Sequence, residues 1–411
     1  MAPIRPFRAL RPEPAVAPLV SSVPYDVVST AEARELADGN PLSFLRVTRS
    51  ELELPDGAPP YSEEVYEHAR ANLERLKRDG ALLLDSDATL YVHRLRMGGH
   101  VQTGVAGGFS IEDYESGRIK KHERTRREKE DDRTRHIVTV RAQTGVVFLT
   151  YRASGAIDAA VAGVVADVPL YDFVAPDGVA HTVWKASLAD REALVAAFGG
   201  VSELYIADGH HRAASAWRAR AEIRDGAAPH PPSEGAGDPG TFLAVAFPDD
   251  QVCILPYHRI VRDLAGRSRE ELLADLERRF RFVNAPPQPE RKGCVGLHLG
   301  DRWRTFVLPE PPAGASAVER LDCELLSRHV LAPLLGIEDL RTDHRVDFVG
   351  GIRGTAELER LVASGRAAAA FAMHPVGVED LFAIADAGEI MPPKSTWFEP
   401  KLRDGLLVRE I

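Results

Sequence analysis

The stretch Glu203–Arg220 constrains this chain most: an apolar strand breaks at Asp208-Gly209-His210-His211-Arg212 and continues at once as an Ala-rich helix. Leu204, Tyr205, Ile206 and Ala207 have the character of a buried strand, and Ala213 to Arg220 are good helix formers, with Trp217 expected as a core anchor. Gly209 permits the sharp turn, which sets His210, His211 and Arg212 at the helix N-terminus. Backbone N–H groups and the positive end of the helix dipole meet there, and a guanidinium fork suits phosphate or carboxylate. The corner therefore reads as a site for an anionic ligand. In the competing reading Asp208 caps the helix, the histidines are half-buried polar residues and Arg212 pairs with a nearby acid. Crowding four such residues on one turn is costly for packing alone, which favours the ligand.

The 411 residues, 44% of them hydrophobic, suffice for a large core and for two or more lobes. Strands alternating with helices imply an α/β or α+β fold with a mixed sheet, not a bundle or a sandwich. A net charge of −10 argues against broad attraction to nucleic acid or to an anionic membrane, while leaving room for a local basic pocket. Cys253, Cys294 and Cys323 are widely spaced and indicate neither a disulfide framework nor a thiolate zinc site. A reducing cytoplasm is the expected setting, because Met1 to Leu10 lacks a signal-peptide core and no stretch approaches a membrane span.

Residues 1–30 are Pro-rich and extended, and Pro24-Tyr25-Asp26 reads as a turn that delivers Tyr25 and Asp26 into a cleft. Helical spacing of Val65, Ala69, Leu73 and Leu76 predicts a helix closed by Gly80. A hairpin is expected over Ala88–Leu95 and His100–Phe109, turned at Gly98-Gly99, with another strand at Gly145–Tyr151 and a helix over Ala189–Phe198. Gly226 to Gly240 reads as a flexible loop. Beyond it come strands at Thr241–Phe247 and Cys253–Pro256 around an Asp249-Asp250 turn, and an amphipathic helix over Arg269–Phe280. A hairpin-like unit carries Trp303 and Phe306. These elements divide the chain into a core over 1–225, with a charged insertion at 112–136, and a C-terminal lobe over 241–411 that lends its 391–401 loop to the cleft.

Two further constellations carry chemistry. Arg118–Arg135 holds nine Lys or Arg and five Asp or Glu. It reads either as a solvated helix face crossed by ion pairs such as Glu123 with Arg127, or as a catalytic segment in which His122, Glu123, Lys129, Asp132 and Arg133 supply a base, a cation for phosphate and an acid for a metal ion. In Met391–Lys401, Pro392, Pro393 and Pro400 stiffen a loop that offers Lys394, Ser395, Thr396 and Lys401, with Trp397 and Phe398 as anchors. That set suits phosphate oxygens, or else a terminal segment docked by its aromatics. The loop lacks the glycines of a Walker motif, and Val349–Gly354 reads as a plain turn. No His-x-x-x-His pair, no Gly-x-Ser-x-Gly elbow and no Gly-x-Gly-x-x-Gly opening a βαβ unit occurs, so zinc-hydrolase, serine-hydrolase and dinucleotide readings fail.

The order strand, Gly209-His210-His211-Arg212, helix resembles the phosphate-binding signature of the ParB/sulfiredoxin superfamily. Pro24–Val28, Asn40–Leu45, His122–Thr125 and Pro392–Phe398 are similar to segments of an uncharacterised bacterial and archaeal family attached to it, related to ParB-like kinases of free serine. The resemblance implies a ParB/sulfiredoxin-like core with large insertions, ATP or ADP with Mg²⁺ as cofactors, and phosphoryl transfer to a small hydroxylated metabolite, L-serine first. Gly209, His211, Arg212, Lys394, Ser395, Thr396 and Lys401 then hold the nucleotide. Asp208, His210, His211 and the base Glu123 form the catalytic set. The alternative it implies is a nucleotide-binding or slowly hydrolysing regulatory protein without DNA binding. A homo-oligomer is compatible with either. Sulfiredoxin chemistry needs a cysteine where His210 stands, and is disfavoured.

Overall fold

The computed structural model describes residues 4–55, 59–233 and 235–411. Strands and helices interleave along the chain, giving the mixed α/β fold expected. They gather into two compact units. The first holds the chain as far as Lys120, Thr125–Val252 and Pro400–Ile411; the second holds Lys121–Arg124 and Cys253–Glu399.

A nine-stranded mixed sheet organises the first unit. Its order is Ile119–Lys120, Leu204–Asp208, Val147–Tyr151, Thr241–Pro248, His100–Ser110, Tyr91–Met97, Ala180–Lys185 and Tyr171–Val174, with Ile4–Arg5 also on His100–Ser110. Only Leu204–Asp208 with Ile119–Lys120 and Thr241–Pro248 with Val147–Tyr151 run parallel. The strand Thr241–Pro248 is buried along its whole length between two neighbours, which is why the first unit runs on to Val252 and not to the loop after residue 225. The C-terminus returns as well, Arg409–Glu410 pairing with Ala142–Gln143. Cys253–Leu255, across the Asp249–Gln251 turn, leaves this sheet and pairs with Trp397–Glu399 in the second unit.

The helix His210–Arg224 buries Ala213, Ala214, Ser215, Ala216 and Ala219. A face of small residues lets it approach the sheet and the helix Arg127–Val140 closely, leaving no room for an indole. Trp217 is accordingly not the core anchor expected from sequence: it is 41% exposed and donates its ring N–H to Glu115 at 2.6 Å. The helices Glu63–Arg78 and Leu188–Phe198 match their apolar spacing.

The charged run 118–135 is split. Helix begins only at Arg127, so Glu123 and Arg127 are not one helical turn apart, and the helix buries Asp132, Thr134, His136 and Ile137 instead of lying in water. Asp132 accepts from Tyr66 Oη (3.0 Å) and from Arg133 Nε (2.9 Å).

In the second unit, six antiparallel strands run Arg281–Val283, Trp303–Val307, Cys294–His298, Ala369–Met373, Tyr257–Val261, Val346–Gly350. Ile260, Ala370 and Ala372 pack on Leu358, Leu361 and Val362 of the helix Gly354–Ala363. The expected hairpin around Trp303 and Phe306 is present, and Gly351–Arg353 is one short helical turn.

Candidate functional site

The strand Leu204–Asp208 hands over to the helix His210–Arg224 through one residue, Gly209, at φ +94°. An L side chain rarely adopts that conformation, and an added Cβ would meet the Arg212 guanidinium at 3.2 Å. Gly145 makes room on the other side, where a Cβ would lie 3.0 Å from Arg212 Cδ. The two glycines thus leave room for the Arg212 side chain, Gly209 beside its guanidinium and Gly145 beside its alkyl stem. No side chain caps the helix.

Arg212 is 6% exposed and faces inward. Its Nη1 donates to the Val146 carbonyl, and Nη2 lies 3.4 Å from Asp26 Oδ2 and 3.5 Å from Asp208 Oδ1. Nε has no hydrogen-bond partner among the described residues. Burial works against the charge, but Asp26, Asp208 and Asp404 outweigh it and hold the guanidinium firmly protonated. Lys401 Nζ donates to Asp208 Oδ2 at 2.8 Å. Burial alone would push the Asp208 carboxyl up; Lys401 and Arg212 overcome that and hold it below the usual carboxylate range. Asp404 lies deeper. Burial, with Asp26 nearby, pushes its carboxyl up to about 7 against the pull of Arg212.

His210 is buried, and His211 Nε2 accepts the Arg126 backbone N–H at 3.0 Å. Beside the corner opens a pocket of about 420 Å³, its mouth included, lined by Tyr25, Arg133, His136, Thr144, Gly145 and Arg212 among others. The Arg133 guanidinium stacks 4.3 Å over the Tyr25 ring and is tied to Asp132. Burial and Arg133 lower His136 to about 4, so it is neutral near pH 7, and it sits 3.0 Å from the Val47 carbonyl.

Of the residues singled out from sequence, Asp208, Gly209, His210, His211, Arg212 and Lys401 belong to this first-unit site, as do Tyr25, Asp26 and Arg133. Glu123, Lys394, Ser395 and Thr396 belong to the second unit. There the Met391 N–H donates to the His122 carbonyl (2.8 Å), Ser395 Oγ donates to the Pro392 carbonyl (2.7 Å), and Lys394 Nζ lies 5.5 Å over the Tyr257 ring. Sequence reading missed Asp404 and Gly145. Asp404 precedes Gly405 (φ +88°), an Asp-Gly turn signal legible in the sequence but silent about charge.

Among the described residues no group of three His, Cys, Asp or Glu is placed to hold a metal ion, and no helix is long and apolar enough to cross a membrane. No curated protein matches the chain. Similar solved structures include a free serine kinase in complex with AMP (13% identity, 74% of this chain and 91% of that chain, TM-score 0.37) and a C-terminally truncated SbnI from Staphylococcus aureus (12%, 74% and 87%, TM-score 0.38). A conserved hypothetical protein from Pyrococcus furiosus is 14% identical, over 74% of this chain and 95% of that one, at a TM-score of 0.35. The profile of one family matches residues 4–324, most of the chain, and on that extent the chain belongs to the family described as DUF1015, protein of unknown function.

Proposed function

We propose that the first-unit corner and its pocket hold ATP or ADP with Mg²⁺, and that the chain passes a phosphoryl group to the hydroxyl of a small metabolite, free L-serine being the specific assignment, in the cytoplasm. This reading places the chain in the ParB/sulfiredoxin-like superfamily. The observation that carries it is the convergence of two guanidiniums, the buried Arg212 and the half-buried Arg133, on one pocket at the foot of a helix with no side-chain cap.

The charges refine the expectation drawn from sequence. Arg212 already faces Asp26 and Asp208 with Asp404 close by, so bare phosphate would meet a surplus of acid. A divalent cation resolves this. Mg²⁺ takes one or two carboxylates and completes its shell with phosphate oxygens and water, and the exposed Asp26 and half-buried Asp208 would hold it here. When bound it supplies charge neutralisation for the phosphates. Arg212 then acts by positioning: it fixes both carboxylates, while the first-turn backbone of His210 and His211 faces the phosphates. Lys401 keeps Asp208 ionised. The hydroxyl proton goes to Glu123, the base that the family resemblance implies.

The test is phosphoserine formation, read by mass spectrometry after incubation with nucleotide, Mg²⁺ and serine. Loss of a general base lowers turnover by about 10²–10⁴-fold with nucleotide affinity near wild type. Glu123→Gln is expected to follow that pattern, whereas Asp26→Asn, which removes a carboxylate that would hold Mg²⁺, is expected to weaken Mg²⁺-dependent nucleotide binding as well. Nucleotide binding without a phosphate ester from serine or from a pool of hydroxylated metabolites would overturn the kinase reading in favour of a nucleotide sensor.

A further inference from the structure

Arg259 stands in Tyr257–Val261, a strand paired on both sides within the second unit's sheet, and it is 1% exposed. Alternation along the strand puts Ile260 on the face covered by the helix Gly354–Ala363 and Arg259 on the other. Its guanidinium lies 5.3 Å from the Phe348 ring, and Nη1 donates to the Tyr257 carbonyl of its own strand. Nε and Nη2 have no hydrogen-bond partner among the described residues. These two nitrogens form the side-on edge of the guanidinium, whose parallel N–H bonds match the two oxygens of one carboxylate. An arginine is almost never fully buried unless paired.

That edge belongs to a pocket of about 310 Å³, its open mouth included, lined also by Lys292, Asp322, Cys323, His374 and Ser395. Nothing in the lining neutralises Arg259. Lys292 is engaged with Asp380 at 2.8 Å. Asp322 accepts the Gly293 N–H with both oxygens, at 2.9 Å each. Burial raises the Cys323 thiol against the pull of Arg259, so sulfur is no counter-ion, and its Sγ lies 3.4 Å from Ser395 Oγ. Two cations, Arg259 and Lys292, thus face two carboxylates, Asp322 and Asp380, and a doubly charged anion would meet more repulsion here than a singly charged one.

We propose that this pocket is a second ligand site, in which Nε and Nη2 of Arg259 grip the carboxylate of a small organic acid. The inference rests on Arg259 and is independent of the phosphotransferase reading of the first unit. Acetate is the probe, titrated into the full chain at fixed ionic strength and followed by calorimetry, with inorganic phosphate as the second arm. Saturable acetate binding is expected, tighter than phosphate. Arg259→Lys keeps the charge but loses the fork, and is expected to weaken acetate roughly tenfold or more, the scale of a charge-assisted hydrogen bond. Asp322→Asn removes a neighbouring negative charge while keeping an acceptor for Gly293, and is expected to tighten acetate several-fold; this variant decides the matter if the Arg259 variant does not fold. No saturable acetate binding, tighter binding of phosphate, or an affinity unmoved by Asp322→Asn overturns the proposal.

Discussion

Arg212 in the first unit and Arg259 in the second are buried to a similar depth, yet their surroundings are opposite. Arg212 has carboxylate oxygens at 3.4 and 3.5 Å and a third carboxylate, Asp404, acting on it; Arg259 has a carbonyl of its own strand and the face of a phenyl ring. Burial depresses the basicity of both. The acids reverse that for Arg212, whereas for Arg259 the depression stands. A buried charge with counter-charges holds its surroundings together, and one without them is a liability to the free protein that a ligand can relieve.

The strongest way to break this comparison is to remove each charge while keeping its bulk. Arg212→Met leaves Asp26, Asp208 and Asp404 facing one another. Breaking a buried ion pair costs about 3–5 kcal/mol, and hydrogen exchange in Leu204–Asp208 and His210–Arg224 is expected to report a loss of that order. Arg259→Met is expected to leave protection of Tyr257–Val261 unchanged or raised, because an apolar group there replaces an uncompensated charge. Equal losses at the two positions would show that the described surroundings of Arg259 compensate it after all.

A second experiment sharpens the first-unit side, where acid is in surplus. The folded state raises Asp404 to about 7, above its ordinary value, so between about pH 4 and 7 the folded protein binds more protons than the unfolded one. Stability contributed at this position therefore falls as pH rises through that window and is lowest above it. Asp404→Asn removes the titration. Its melting temperature is expected to match wild type near pH 4 and to exceed it by about 1 °C at pH 8, roughly 1 kcal/mol for a protein of this size. An advantage that shrinks with rising pH would reverse the assignment.

How much of this was legible in the sequence follows from what each signal encodes. The strand, the glycine and the helix at 203–220 were legible because local propensity and core packing agree there. Trp217 was misplaced because a lone indole on an Ala-rich helix reads as its anchor, whereas the alanines themselves make the close approach and leave the indole outside. The charged run 118–135 was half legible: its composition announces ion pairs, but the burial of Asp132 and His136 depends on Tyr66, Tyr25 and Val47, which come from distant parts of the chain. Tyr25 and Asp26 were read as delivered into a cleft, and the structure gives them Arg133 and Arg212 as partners. Arg259 carried no sequence signal at all, since an arginine in a Tyr-His-Arg-Ile-Val run reads as the exposed member of an edge strand, and only the pairing of that strand on both sides buries it.

The smallest effect tests how the first unit's compensation is shared between Arg212 and Lys401. Lys401 reaches Asp208 from the returning C-terminal segment and leads the charges that hold this carboxyl low against burial. A depressed carboxyl contributes stability above its unfolded value near 4 and loses that contribution as pH falls below it. Both side chains keep some exposure, 18% and 27%, so water screens the pair and its worth is about 0.5–1 kcal/mol. Lys401→Met is expected to show that deficit at pH 7 in urea unfolding and to converge on wild type toward pH 3, where Asp208 in the variant has begun to protonate. A deficit that stays constant down to pH 3 would mean that Lys401 acts through packing of its alkyl chain, and that Arg212 alone fixes the charge of Asp208.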